Sequence, residues 1–126
     1  MINVAGYSNL QIIHQSPETL VYTAKRNRDG AKVVLRQLRP EVASPERVAR
    51  FRKEFELLAA IDSPHVITAQ ELIEQRSTTI LVTEDIGGES LSQYQRRQPI
   101  SVREAVHLAT AVTTGLDELH ARNIIH

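Results

Sequence analysis

Cysteine is absent from all 126 residues. The chain therefore has no disulfide framework, no thiolate nucleophile and no Cys-based zinc site. Neither sign of charge is in excess, since fifteen Lys and Arg balance fifteen Asp and Glu with no long basic run. That balance argues against a dedicated nucleic-acid binder and against a protein drawn to anionic membranes by its net field. Long hydrophobic runs are missing too. The longest, such as Leu57–Ile61, reach four or five residues, far short of a bilayer-spanning helix. The opening stretch MINVAGYSNLQII has neither the basic start nor the long apolar centre of a secretory signal. A cytoplasmic domain is expected, long enough to bury roughly two-thirds of its unfolded surface. His107, His120 and His126 have no metal-like spacing, so no metal site is assigned.

What is present reads first as strands. Leu10–Ile13, Leu20–Ala24 and Lys32–Leu38 are rich in β-formers, and Asn27–Gly30 (NRDG) joins the last two as a turn. A helix follows, with Ser44 as N-cap, Pro45 at its first position and Glu46 in the first turn. Val48, Phe51, Phe55, Leu58 and Ile61 recur at three- and four-residue spacing and predict one buried stripe. Pro64 ends that pattern, because the residue before a proline is pushed out of the α region. Val66–Ile73 and Thr78–Thr83 are two further strands. Gly87 and Gly88 mark a flexible break. Ser101 to Glu104 (SVRE) has the capping-box pattern and opens a long helix with Val102, Ala105, Ala109, Val112, Leu116 and Leu119 on one face. The order is β-β-β-α-β-β, a glycine break, then helix, which makes the fold α+β.

That order and its spacings resemble the protein-kinase domain, from about Tyr7 to the end of the chain. In VVLRQL, Val34 and Arg36 share one strand face and match the third strand, where kinases carry Val-Ala-x-Lys. The resemblance implies that Val34 lies over an adenine and that Arg36 replaces the lysine that holds the α and β phosphates. Arginine is a wide planar fork where lysine is a compact charge, so the substitution alters how charge meets phosphate. Loss of one well-aimed donor typically costs roughly 3–4 kcal/mol, or ~10²–10³ in rate. Glu54 stands ten residues before Pro64 and matches the glutamate of helix C, which implies an Arg36–Glu54 ion pair. LVTEDIGGESL resembles the fifth strand and hinge. Thr83 would guard the back pocket, and Glu84, Asp85 and Ile86 would turn backbone groups to the adenine edge.

The phosphate-covering loop departs from the family pattern G-x-G-x-x-G-x-V. With Val21 as its valine, His14, Ser16 and Thr19 fall at the three glycine places. Side chains there obstruct the approach of backbone N–H groups to phosphate, and Pro17 removes one donor.

GLDELHARNIIH resembles helix E running into the catalytic loop, with His126 as the first residue of His-Arg-Asp. The catalytic Asp and the metal ligands of the family would lie beyond it, so these residues by themselves are expected not to catalyse.

The resemblance thus implies a small lobe of about five antiparallel strands plus helix C over residues 1–86, hinge included. Residues 87–126 would begin an incomplete large lobe with helices D and E. It implies ATP and Mg²⁺ for a complete domain of the bacterial Ser/Thr type. A protein substrate, or signalling domains of the same chain, would be the partner, as in the kinase-like domain that opens large multidomain sensor kinases. Two alternatives stand beside it: a pseudokinase or docking module of the same fold, which Arg36 and the missing glycines favour, and a small-molecule phosphotransferase of the aminoglycoside-kinase kind, which shares the small lobe.

Overall fold

The computed structural model describes residues 2–125. Five antiparallel strands form one sheet in the order β1-β2-β3-β5-β4. They are β1 (Tyr7–Gln15), β2 (Thr19–Arg26), β3 (Lys32–Leu38), β4 (Ala69–Gln75) and β5 (Thr78–Glu84). Between β3 and β4 come a short 3₁₀ turn, Pro40–Val42, and helix α1, Pro45–Ala59. Two helices follow β5: α2, Leu91–Arg97, and α3, Val102–Ala121.

Side chains alternate across the sheet and build a core on each face. On one face Val33, Leu35, Ile80 and Val82 are fully buried with Tyr22, Ala24 and Ile73, and Val4 and Tyr7 pack against them. On the other face α1 lays Val48, Phe51, Phe55 and Leu58 onto Leu38, Ala69, Leu72 and Leu81. The expected α1 stripe is thus the packed face. Ser44 caps the helix, its hydroxyl accepting from Arg47 N at 3.2 Å. Ile61, the last residue of the expected stripe, lies beyond the helix end but is buried.

The sheet is rolled. Tyr7 on β1 donates to Glu71 Oε2 on β4 at 2.5 Å, and Arg26 Nη1 on β2 donates to Gln70 Oε1 at 2.6 Å. The first bond joins the two strands at opposite ends of the strand order and the second joins β2 to β4, as the right-handed twist of a sheet allows.

In the turn between β2 and β3, only Gly30 has positive φ, at +72°. The Asp29 carboxylate accepts from Arg26 Nε and Nη2 and from Ala31 N. The Arg26 guanidinium, followed by the Ala31 amide, pulls the Asp29 carboxyl down to about 2.

Several boundaries differ from the sequence reading. β1 starts three residues earlier, at Tyr7, and carries two register irregularities, with Asn9 at φ 56° beside the first. β4 begins at Ala69 instead of Val66, because Ser63–Val66 is drawn into a turn. The Ser63 hydroxyl accepts from His65 N at 3.0 Å.

The described chain divides into two compact units. One contains residues up to 62 together with Ile67–Ile86, and so holds the sheet and α1. The other contains Ser63–Val66 with the residues from Gly87 onward, and so holds α2 and α3. Within the second unit Ser63 Oγ donates to Glu118 Oε2, and Gly115 lets α3 approach the His65 carbonyl, where a Cβ would sit 3.2 Å from the oxygen. Tyr94 donates to Glu104 Oε2 at 2.7 Å and ties α2 to α3.

The long-helix stripe is covered only near its C-terminal end, where Gly115 and Leu119 are buried. Val102, Ala105, Ala109 and Val112 are exposed, because in this unit it is Ser63–Val66 that meets α3, and it does so at Gly115 and Glu118. The capping box also falls elsewhere. Ser101 accepts from Glu104 N, but the reciprocal pair of bonds forms at Ser90 and Gln93, at the start of α2. The Glu104 carboxylate is turned to Tyr94 and the Ser101 hydroxyl instead.

Candidate functional site

Strand register, more than loop structure, assembles the candidate residues. Directly opposed residues in an antiparallel pair share a face. His14 opposes Val21, Val21 opposes Arg36, Arg36 opposes Leu81 and Leu81 opposes Leu72, which makes one row across all five strands. Thr23, Val34, Thr83 and Ala69 make the neighbouring row. Both rows lie on the face that α1 partly covers. The end nearest α1, at Leu81 and Ala69, is buried, while Val21, Thr23, Val34 and Thr83 remain half-buried. The result is a shelf of methyl groups and hydroxyls beside a helix. Thr23 was missed in the sequence. The only signal for it was its parity with Val21.

Arg36 reaches from this shelf to α1. Its Nη2 forms a salt bridge with Glu54 Oε2, and its guanidinium lies over the Phe51 ring, 4.9 Å from the centroid. Phe51 and Glu54 stand three residues apart on α1 and therefore on one helix face. Together they present an aromatic plane and a carboxylate, a pairing suited to a planar fork and less to an ammonium. Phe51 is buried, whereas the Arg36 and Glu54 side chains keep 33% and 41% of their exposure. Arg36 Nε is buried without a hydrogen-bond partner. Phe51 was read from sequence only as a core residue, so its position under the guanidinium is an addition.

The strand that leaves the shelf, Glu84–Ile86, offers fewer backbone donors than expected. Glu84 N donates to Thr68 O and Asp85 N to Lys32 O, each at 3.3 Å. The Glu84 carboxylate in turn accepts from Thr68 N. Of the three amides, only that of Ile86 stays outside these bonds, and Ile86 is 71% exposed.

The hairpin between β1 and β2 departs furthest from expectation. It is a three-residue connection, Ser16-Pro17-Glu18, closed on itself. Ser16 N donates to Thr19 O at 2.9 Å, and Ser16 Oγ accepts from Thr19 N at 2.9 Å and from Glu18 N at 3.3 Å. The Ser16 and Thr19 hydroxyls are themselves 3.0 Å apart. Pro17 has no N–H, so every amide from residue 16 to 19 is engaged or missing. Arg39 clamps the turn from outside: its Nε donates to Ser16 O at 2.8 Å and its N to Glu18 O at 2.9 Å. Glu18 is bridged to Arg47 of α1 at 3.2 Å. Ser16 and Thr19, expected as phosphate-side residues, are therefore bonded to each other.

Among the described residues no group of three or more His, Asp or Glu side chains could hold a metal ion. His126, assigned from sequence to the start of a catalytic triplet, lies outside the described residues.

Comparison with known proteins matches the whole site region. The family model described as protein kinase domain matches residues 7–126. Serine/threonine-protein kinase PkaB of Streptomyces coelicolor is 30% identical over 96 residues, covering 75% of this chain and 23% of that protein. Serine/threonine-protein kinase ATG1a of Arabidopsis thaliana is 31% identical over 109 residues, covering 85% of this chain and 17% of that protein. Among solved structures, the PknI kinase domain of Mycobacterium tuberculosis superposes with a TM-score of 0.79 at 26% identity. That match covers 99% of this chain and 52% of the PknI chain. The chain spans only 16% or 17% of the length of the first relatives it matches.

Proposed function

The chain belongs to the protein kinase domain family, and on that premise we propose that it supplies the small lobe, hinge and first large-lobe helices of a Ser/Thr kinase domain. The reaction is transfer of the ATP γ-phosphoryl group to a protein Ser or Thr hydroxyl, a chemistry carried mainly by positioning and charge stabilisation. The observation that supports this best is the Arg36–Glu54 bridge, in register with Val21, Val34 and Thr83 on one sheet face. In this reading Val21, Val34 and Thr83 receive the adenine and the Ile86 amide meets its edge. Arg36, held by Glu54, stands at the phosphate side, where other parts of a complete domain would also meet the phosphates. Mg²⁺ would neutralise phosphate charge when bound; the described residues of this segment contain no ligand set for it. The protein acts in the cytoplasm on a protein substrate, and no helix of the described chain is long and apolar enough to cross a membrane.

The test is labelling. The polypeptide that carries this segment, given γ-labelled ATP, Mg²⁺ and an acceptor protein, is expected to label Ser or Thr. Glu54→Ala is expected to slow this by roughly 10²-fold. Labelling that is indifferent to Glu54→Ala removes the assignment. Residues 1–126 by themselves are expected to label nothing above a blank.

A second reading is favoured by the arginine at position 36 and by the closed hairpin. It is a docking or nucleotide-sensing module with this fold and no transfer. Nucleotide binding without any labelling by the whole polypeptide would select it.

A further inference from the structure

The hairpin over residues 15–19 determines how much of a nucleotide this segment can recognise. We propose that its recognition ends at the nucleoside, so that adenosine and ATP bind it with equal affinity. This rests on the reading of the Val21–Val34–Thr83 shelf as a base site.

Three observations carry the proposal. First, no backbone donor of the turn is available to an anion. The amides of Ser16, Glu18 and Thr19 are bonded inside the turn, and Pro17 has none. A phosphate cradle is made of such amides, converging without side chains in the way. Second, the turn is braced. Arg39 holds the carbonyls of Ser16 and Glu18, and the Glu18–Arg47 bridge ties the tip to α1. Opening the turn to release its amides breaks these contacts as well as its own. The Arg39 and Arg47 guanidinium groups are both engaged in this bracing, and Glu18 brings a carboxylate to the tip. Third, Arg36, the cation in the row beside His14 and Val21, is already paired with Glu54 and stacked on Phe51, while Lys25 and Lys32 stand at the opposite end of the shelf, beyond Thr23 and Val34. With fifteen charges of each sign, the chain adds no net field to draw in a polyanion.

The base end is different. The shelf is half-buried and apolar at Val21 and Val34, carries hydroxyls at Thr23 and Thr83, and adjoins the uncommitted Ile86 amide. A flat heterocycle with an edge acceptor fits that chemistry, and a triphosphate tail gains nothing further. In a complete domain, contacts to the phosphates would have to come from groups other than this turn.

The experiment is an amide-resolved NMR titration of the ¹⁵N-labelled 126-residue protein with adenosine, with ATP, and with ATP plus Mg²⁺. The expected result is shifts at Thr23, Val34 and Ile86 for all three, silence at residues 16–19, and Kd values within about threefold of one another. A second protein, carrying Ser16→Gly, Pro17→Gly and Glu18→Gly together, frees the amides. It is expected to bind ATP several-fold more tightly than adenosine while adenosine affinity is unchanged. ATP binding to the natural sequence tenfold or more tighter than adenosine, with shifts at residues 16–19, overturns the inference and leaves the base site standing. No shift at Val34 or Ile86 with any ligand overturns the base site and the inference with it. If the triple variant gains no preference for ATP, the closed turn is not what withholds phosphate, and the inference fails on that ground.

Discussion

Tyr7 and Glu71 stand on strands at opposite ends of the strand order, and their hydrogen bond closes the rolled sheet. Burial, followed by the hydrogen bond to Glu71, pushes the Tyr7 phenol up to about 12. Because the folded value lies above the unfolded one, the bond's contribution is complete below pH 10 and is lost as pH rises toward 12. Tyr7→Phe is expected to cost roughly 1.5–3 kcal/mol near neutrality, the range for a hydrogen bond to a charged group. Unfolding curves at pH 8, 10 and 12 check it. The difference between the two proteins should shrink across the upper interval, and a constant difference would argue against the bond.

Arg36 and Phe51 are expected to be coupled independently of Glu54. Arg36→Lys keeps the charge and loses the planar stack. The half-exposed salt bridge is worth at most about 1 kcal/mol, and the stack about 0.5–1 kcal/mol. A double-mutant cycle over Arg36→Lys and Phe51→Leu measures the second quantity directly. If the two losses simply add, the ring does not hold the guanidinium.

Core and exposed apolar positions should respond very differently. Leu35 is 0% exposed at the centre of the rolled sheet, and Leu35→Ala is expected to cost roughly 2–5 kcal/mol. Val102, at 82% exposure on α3, should be nearly silent when changed to Ala. Denaturant melts of the two variants side by side decide whether burial is assigned correctly.

Acid titration addresses the turn between β2 and β3. The folded Asp29 carboxyl lies near 2, below its ordinary 3.8, so its contribution is present above about pH 4 and vanishes as pH falls through 2. Asp29→Asn should be less stable than the natural sequence at pH 7 and equal to it near pH 1.5. A difference that persists at that pH would show that the carboxylate's charge is not what matters there.

Local rules made much of the fold readable. The β-rich runs, the Ser44 cap and the α1 stripe each follow from a few neighbouring residues, and the strands formed with the expected order. Arg36 and Glu54 were legible as a pair only through the resemblance to the kinase domain, in which VVLRQL matches the third strand and Glu54 stands ten residues before Pro64. The closed hairpin was not, since it depends on where one serine hydroxyl points. Phe51 was hidden by its own usefulness: a ring in a core stripe gives no sign that its face also meets a guanidinium. Tyr7 and Glu71 stand 64 positions apart in the chain with three strands between them in the sheet, a distance no local pattern reaches. The exposed half of α3 escaped for the opposite reason, because an amphipathic stripe predicts that a face can be covered and not that something covers it.

Ser63–Val66 lies between α1 and β4 in the chain but belongs with α2 and α3 in space. A boundary drawn along the sequence therefore cannot separate the two units cleanly. A shortened protein ending at Ile86 would keep this four-residue turn while discarding Gly115 and Glu118, the residues it rests on. Anyone isolating the sheet and α1 for study should shorten or redesign that turn as well, or the excised piece will carry a raw patch of its own making.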